Sequence, residues 1–179
     1  MWTNLDGFDH LTPTELDALL QAPILITILV GAADGVLDRE ERTWSDRLMQ
    51  ARTYNKPRHL NDYYSVVAHR FLDKVDERMA QLPSGVEARN ALISELLVPV
   101  NAVLAKIDAP LAIDLYKSYL GLAKETAKAS GGFLRIGAIS AQEARWVGLP
   151  MLTPVAGVEK YEPWEEDEAP ENADEATEE

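Results

Sequence analysis

This sequence predicts an all-α fold, a bundle of about seven helices followed by a disordered acidic tail. Three observations carry that prediction. Apolar residues recur at intervals of three and four over residues 10–152, and no segment sustains the period of two that a half-buried strand needs. Four capping boxes mark helix starts: Thr12 with Glu15, Asp38 with Glu41, Ser84 with Glu87 and Ser140 with Glu143. In each, a short oxygen-bearing side chain can accept the N3 amide while the glutamate reaches back to the N-cap amide. From residue 153 onward the apolar rhythm stops, and Pro154, Pro163 and Pro170 lie among dense glutamates, a composition that cannot bury a core.

The first helix is expected over residues 13–20, with Pro13 at N1, where a missing N–H costs nothing. Pro23 restarts a helix that turns Ile24, Ile28 and Leu29 inward. After Asp38, a helix is expected to bury Trp44, Leu48 and Ala51. The chain turns at Lys56 and Pro57. Leu60, Tyr64, Val67, Phe71, Val75 and Met79 then mark one long amphipathic helix, which Pro83 ends. Residues 84–106 form the next helix, with Leu92, Leu96, Val100, Val103 and Ile107 on one face and a kink at Pro99. Asp108 caps a helix that buries Leu115, Tyr119 and Leu122, and Gly131 and Gly132 close it through left-handed backbone. A short last helix covers residues 140–148. The folded domain is therefore expected at 10–152 and the tail at 153–179.

Composition narrows the function. The chain has 179 residues, is 46% hydrophobic and contains no cysteine, so disulfides, thiolate metal sites and a cysteine nucleophile are excluded. The longest apolar run, residues 23–33, is too short to cross a hydrocarbon layer of about 30 Å. The N-terminus shows no signal-peptide pattern, and the cytoplasm is the expected location. Of the net charge of −13, residues 159–179 carry −10, from 11 acids and one lysine, which leaves −3 for the rest. A chain so poor in basic surface does not read as a nucleic-acid binder.

Residues 31–44 read GAADGVLDREERTW. If Gly35 is set at the glycine of an EF-hand loop, Asp34 falls at position 5, Asp38 at 9 and Glu41 at the bidentate position 12. Val30 and Ala32 occupy positions 1 and 3 and cannot ligate, so this is half of such a loop. Asp34, Asp38 and Glu41, with the Val36 carbonyl and waters, could hold a hard cation such as Ca²⁺ or Mg²⁺ at modest affinity. The same residues are also ordinary turn and capping chemistry: Asp-Gly makes turns, and acids are favoured at helix N-termini. Both readings are open at this point.

The run Ala32-Ala33-Asp34-Gly35, followed by Leu37, Asp38, Glu40 and Glu41 between two helices, resembles the TerB-like (tellurite-resistance B) family over residues 15–150. The second half of the chain echoes it. Residues 129–134 (ASGGFL) resemble 32–37 (AADGVL), and 140–146 (SAQEARW) resemble 38–44 (DREERTW), with residues 135–139 inserted between. Trp44 and Trp146 are then expected at equivalent core positions. Gly131 and Ser140 replace the first two acids and only Glu143 remains, so the second loop lacks the charge for a cation. The resemblance implies a pseudo-duplicated helical interaction or adaptor module associated with stress and tellurite resistance, with protein partners and peripheral membrane association through a partner.

Catalytic patterns are missing. His10, His59 and His69 show no metal-binding spacing, and there is no nucleophile elbow, Walker A loop or dinucleotide fingerprint. The only basic cluster, Arg52, Lys56, Arg58 and His59 around Tyr54, reads as a solvated interhelical loop or as a dock for an acidic partner or the tail. Tyr161 and Trp164 place aromatic anchors in the acidic tail, as short binding segments do. The expected function is a non-enzymatic helical interaction module. The alternatives are a metal-dependent enzyme using the same carboxylates and a structural protein with no ligand.

Overall fold

A computed structural model describes residues 5–33, 35–130 and 141–160. Among these there are eight α-helices and no strand: α1 (Pro13–Gly31), α2 (Arg39–Ala51), α3 (Arg58–Ala68), α4 (Phe71–Gln81), α5 (Val86–Leu97), α6 (Pro99–Leu104), α7 (Ala109–Ser130) and α8 (Ala141–Val147). A single 3-10 turn, Val158–Lys160, follows. The all-α class is as the sequence predicts. Fusing two expected helices and splitting two others turns seven into eight.

α1 is the axis of the bundle and packs against α3, α4, α5, α6, α7 and α8. Every residue from Ala22 to Gly31 is buried, and each fully enclosed Leu, Ile or Val contributes about 1.5–3 kcal/mol of apolar burial. By length and mean hydropathy, 1.5, α1 is the one helix among the described residues that could cross a membrane. Its apolar surface is instead spent on its neighbours, as in a core helix. The packing also runs past the expected limits of 10–152. Phe8 is buried and stacks on Tyr63, while Val155 and Val158 lie against the core.

α1 is continuous, although a restart is expected at Pro23. Proline has no N–H, so the carbonyl four residues back, on Leu19, loses its helical donor. The Tyr63 hydroxyl supplies that donor at 2.5 Å, and the Thr27 hydroxyl donates to the Pro23 carbonyl at 2.9 Å. Tyr63 also meets the Tyr119 hydroxyl at 3.0 Å. Tyr63→Phe should therefore cost about 1–3 kcal/mol, the penalty for an unsatisfied buried carbonyl. Urea denaturation of the two proteins measures it, and an unchanged midpoint would mean the carbonyl does not need the hydroxyl.

The expected long helix over residues 60–79 breaks between α3 and α4, where Arg70 adopts φ 53°. Neither proline nor glycine marks the spot. The carbonyls of Val66 and Val67, freed by the break, accept from the Lys74 ammonium at 3.1 and 3.2 Å. Desolvation lowers the Lys74 pKa from its ordinary value. Leu60, Tyr64, Val67, Phe71 and Val75 still share one buried face across the break.

Two faces are rotated from their expected positions. α2 buries Ser45 and Met49, while Trp44 is 45% exposed and Leu48 is half-buried. Trp146 packs partly against the core, so the two tryptophans are not equivalent. α5 buries Arg89, Asn90, Ile93 and Leu97, leaving Leu96 exposed and Leu92 half-buried. Its N-cap is Gly85 with no side-chain cap, so the box expected at Ser84 does not form. Pro99 opens α6 across a helical Val98 rather than kinking one helix. In α7, Leu115, Tyr119 and Leu122 are buried as expected. Gly131, Gly132 and Ser140 lie outside the described residues, as do Tyr161 and Trp164.

The Thr12 box forms in full: the Glu15 amide donates to the Thr12 hydroxyl oxygen, and the Thr12 amide donates to the Glu15 carboxylate. Glu15 also accepts from Lys106, which ties α1 to the end of α6. Lys106 first, then the Thr12 amide, lowers the Glu15 pKa from 4.5 to about 2. A depressed carboxylate pKa stabilises the fold above the unfolded-state value and ceases to do so as pH falls through the folded-state value. The Glu15 contribution should thus be lost between 4.5 and about 2. An NMR titration of the Glu15 carboxyl should show the low midpoint, and Lys106→Met should raise it.

Candidate functional site

The acidic loop grows out of the C-terminus of α1. Gly31 eases it: a Cβ there would lie 2.6 Å from Leu37 Cδ1, so any other residue would push the Leu37 side chain from its place over the helix end. Gly35 then takes φ +133°, a backbone conformation L side chains rarely adopt. Its amide donates to the Ala32 carbonyl at 3.0 Å and closes the turn. Leu37 is buried at the base, whereas Val36 points outward and is 72% exposed.

From α5, Arg89 reaches under this turn. Its guanidinium donates to the Gly35 carbonyl at 3.0 Å and to the Ala32 carbonyl, and the side chain is 2% exposed. A planar fork suits two carbonyls on one turn. The loop thus has a cation built into its inner side, an arginine that the sequence reading did not single out.

Asp38 and Glu41 meet each other first. The Glu41 amide donates to Asp38 Oδ1 at 2.8 Å, and the Asp38 amide donates to Glu41 Oε2 at 2.8 Å. This is the predicted capping box, complete and at the surface. Asp34, the third expected ligand, lies outside the described residues. Among the described residues, no group of three or more His, Asp or Glu side chains converges to hold a metal ion. One turn on in α2, Arg42 grips Asp76 of α4 through two bonds of 2.5 and 2.7 Å.

Beside the loop is a cleft of about 300 Å³, lined by Ala33, Val86, Asn90, Ala91, Arg145 and Trp146 among others. Arg145 stacks over the Trp146 ring, its guanidinium carbon 4.8 Å from the ring centre. Asn90 is 6% exposed, and its side-chain oxygen has no hydrogen-bond partner among the described residues. A buried amide oxygen without a donor is uncommon in a folded protein. The cleft therefore joins apolar walls to one acidic side chain, Glu87, and one basic side chain, Arg145, while the Asn90 amide oxygen is itself enclosed.

A second polar constellation sits inside the bundle. Arg52 is fully buried and reaches α7: Nη1 donates to the Ser118 carbonyl (3.2 Å) and Ser118 Oγ (2.8 Å), and Nη2 pairs with Glu125 at 2.5 Å. Its guanidinium carbon lies 5.4 Å from the centre of the Tyr64 ring, and the Tyr64 hydroxyl meets Ser118 Oγ at 2.6 Å. Burial raises the pKa values of Tyr63, Tyr64 and Tyr119, so all three stay neutral. This corrects the expectation of a solvated basic loop: Arg52 and Lys56 are buried, and His59 pairs with Asp114 at 3.0 Å. Only Arg58 and Tyr54 of that cluster are exposed. His10 contacts the Lys106 carbonyl at 3.2 Å, and His69 is exposed. The chain matches no protein-family model, no curated protein and no solved structure.

Proposed function

We propose that the chain is a non-enzymatic helical interaction module of the TerB-like, stress-associated type, acting in the cytoplasm, with the acidic loop and its cleft as the binding face. One observation carries this reading. Val36, 72% exposed, stands on a turn braced from beneath by Arg89, beside a cleft walled by Val86 and Ala91. A braced turn presents an apolar side chain at little entropic cost on binding. A partner segment that places an apolar side chain against Val86 and Ala91, and polar groups toward Glu87 and Arg145, fits these walls. This chemistry suits a protein partner.

The test uses a photocrosslinker in place of Val36. A discrete set of crosslinked proteins should form and should disappear when Ala91→Trp fills the cleft. The reading fails if a crosslinker at Arg58, at the start of α3, traps the same set, or if Ala91→Trp leaves the set unchanged.

A second reading places a divalent cation, Ca²⁺ or Mg²⁺, at Asp34, Asp38 and Glu41. It is favoured by the capping box, which places both the Asp38 and Glu41 carboxylates at the N-terminus of α2. Against it, the Arg89 guanidinium already opposes positive charge at the Ala32 and Gly35 carbonyls. Calorimetric titration with each cation separates the two readings. Saturable heat abolished by Asp34→Asn supports the site, whereas heat indifferent to that substitution belongs to the tail acids and sinks it. A metal-dependent reaction at these carboxylates would require the same binding.

A further inference from the structure

α7 carries three lysines at intervals of seven and four, Lys117, Lys124 and Lys128. At 100° per residue they fall within one narrow stripe, together with Ile113, Leu120 and Gly121. Lys124 and Lys128 are exposed; Lys117, Leu120 and Gly121 are half-buried. The stripe is therefore a basic row with an apolar saddle at Leu120 and Gly121. Of the two acids nearest it on α7, Glu125 pairs with the buried Arg52, and Asp114 lies within hydrogen-bond distance of the His59 ring.

The chain after α8 travels toward this stripe. The Thr153 amide donates to Asn101 Oδ1 at 2.7 Å. Pro154, Val155 and Ala156 then pass Ala109 and Ala112 at the start of α7, and a Cβ on Gly157 would lie 3.9 Å from Ile113 Cδ1. Ile113, buried at the start of the stripe, marks where the chain passes its foot, and the 3-10 turn Val158–Lys160 completes the described chain. Beyond it come residues 161–179, with ten acids and no basic residue.

From these observations we infer that the acidic tail, residues 161–179, docks on the α7 lysine stripe, with Trp164 on the Leu120–Gly121 saddle and residues 165–168 (EEDE) opposite Lys124 and Lys128. The reach allows it. Leu120 is about 10 Å along the helix from Ile113, and the 3-10 turn Val158–Lys160 plus four extended residues to Trp164 can span about 19 Å. Single exposed ion pairs are weak. A tether that starts beside its own target, however, supplies an effective concentration in the millimolar range, enough to populate a multivalent contact. An acidic partner segment seeking this face would first have to displace the tail.

The chain has no cysteine, so Glu168→Cys gives one unique site for a nitroxide label in the full-length protein. At low salt, the amide signals of residues 117–128 should lose intensity selectively. The loss should vanish in Lys124→Glu/Lys128→Glu, and at an ionic strength of about 1 M, where the Debye length is about 3 Å. Both lysines are exposed, so the double variant leaves the packing intact. Absence of broadening on α7 at low salt overturns the proposal. So does broadening that survives charge reversal, or that spreads evenly over every face of the bundle.

Discussion

Arg52→Ala should lower the unfolding free energy by about 3–5 kcal/mol, the range for removing one partner of a buried ion pair. The loss has several sources. Glu125 is left without its cation, the Ser118 carbonyl and hydroxyl lose a charged donor, and a cavity opens beside the Tyr64 ring. Urea denaturation gives the total. A double-mutant cycle with Glu125→Gln isolates the pair, and the two single losses should sum to more than the double loss, because both remove the same contact. Arg52→Met, which retains the apolar stem, should recover part of the packing but none of the polar contacts. A loss below about 1 kcal/mol for Arg52→Ala, typical of a surface ion pair, would show that this guanidinium is not the link between α2 and α7.

Arg89→Ala should cost about 2–4 kcal/mol, since two carbonyls on the acidic turn lose a charged donor and the Ala32 carbonyl is enclosed. The effect should also be local. Amide exchange at Gly35, Val36 and Leu37 should accelerate more than exchange in α7, because the turn loses its brace while the bundle keeps its core. Arg89→Lys should recover only part of the loss, as an ammonium cannot span two carbonyls with a rigid fork. If exchange at the turn matches the wild type, Gly31 and Gly35 hold the loop unaided and Arg89 serves only α5.

The fold class was legible because α1, α3, α4 and α7 carry apolar residues at helical spacing, and because the boxes at Thr12 and Asp38 form as local chemistry dictates. Local chemistry could not show how distant groups repair a helix. Pro23 reads as a break until Tyr63, 44 residues beyond Leu19, supplies the missing donor. The break at Arg70 has no proline or glycine to announce it and is stabilised by Lys74 from the following helix. Face assignment failed where two apolar stripes competed. In α5, Leu92 and Leu96 form one and Ile93 and Leu97 the other, and the structure buries the second together with a charged Arg89. The same happened in α2, where placing Met49 inward also directs Arg52 into the core. Arg52 was read as solvated because arginine usually is, and nothing in the local sequence singled out Arg89. The carboxylates Asp38 and Glu41 were legible as a cap; the arginine beneath the turn was not.

The bond between Tyr63 and the Leu19 carbonyl also sets a schedule. A ribosome adding about 5–20 residues per second takes roughly 2–9 s to make the 44 residues that separate the two groups. During that interval the most apolar helix of the chain exists with an open carbonyl and without the helices that cover it. A nascent segment of this kind is a natural client for holding factors at the ribosome exit. Variants that delay Tyr63, such as inserted slow codons between positions 31 and 63, should lower the yield of folded protein without altering a single contact in the finished molecule.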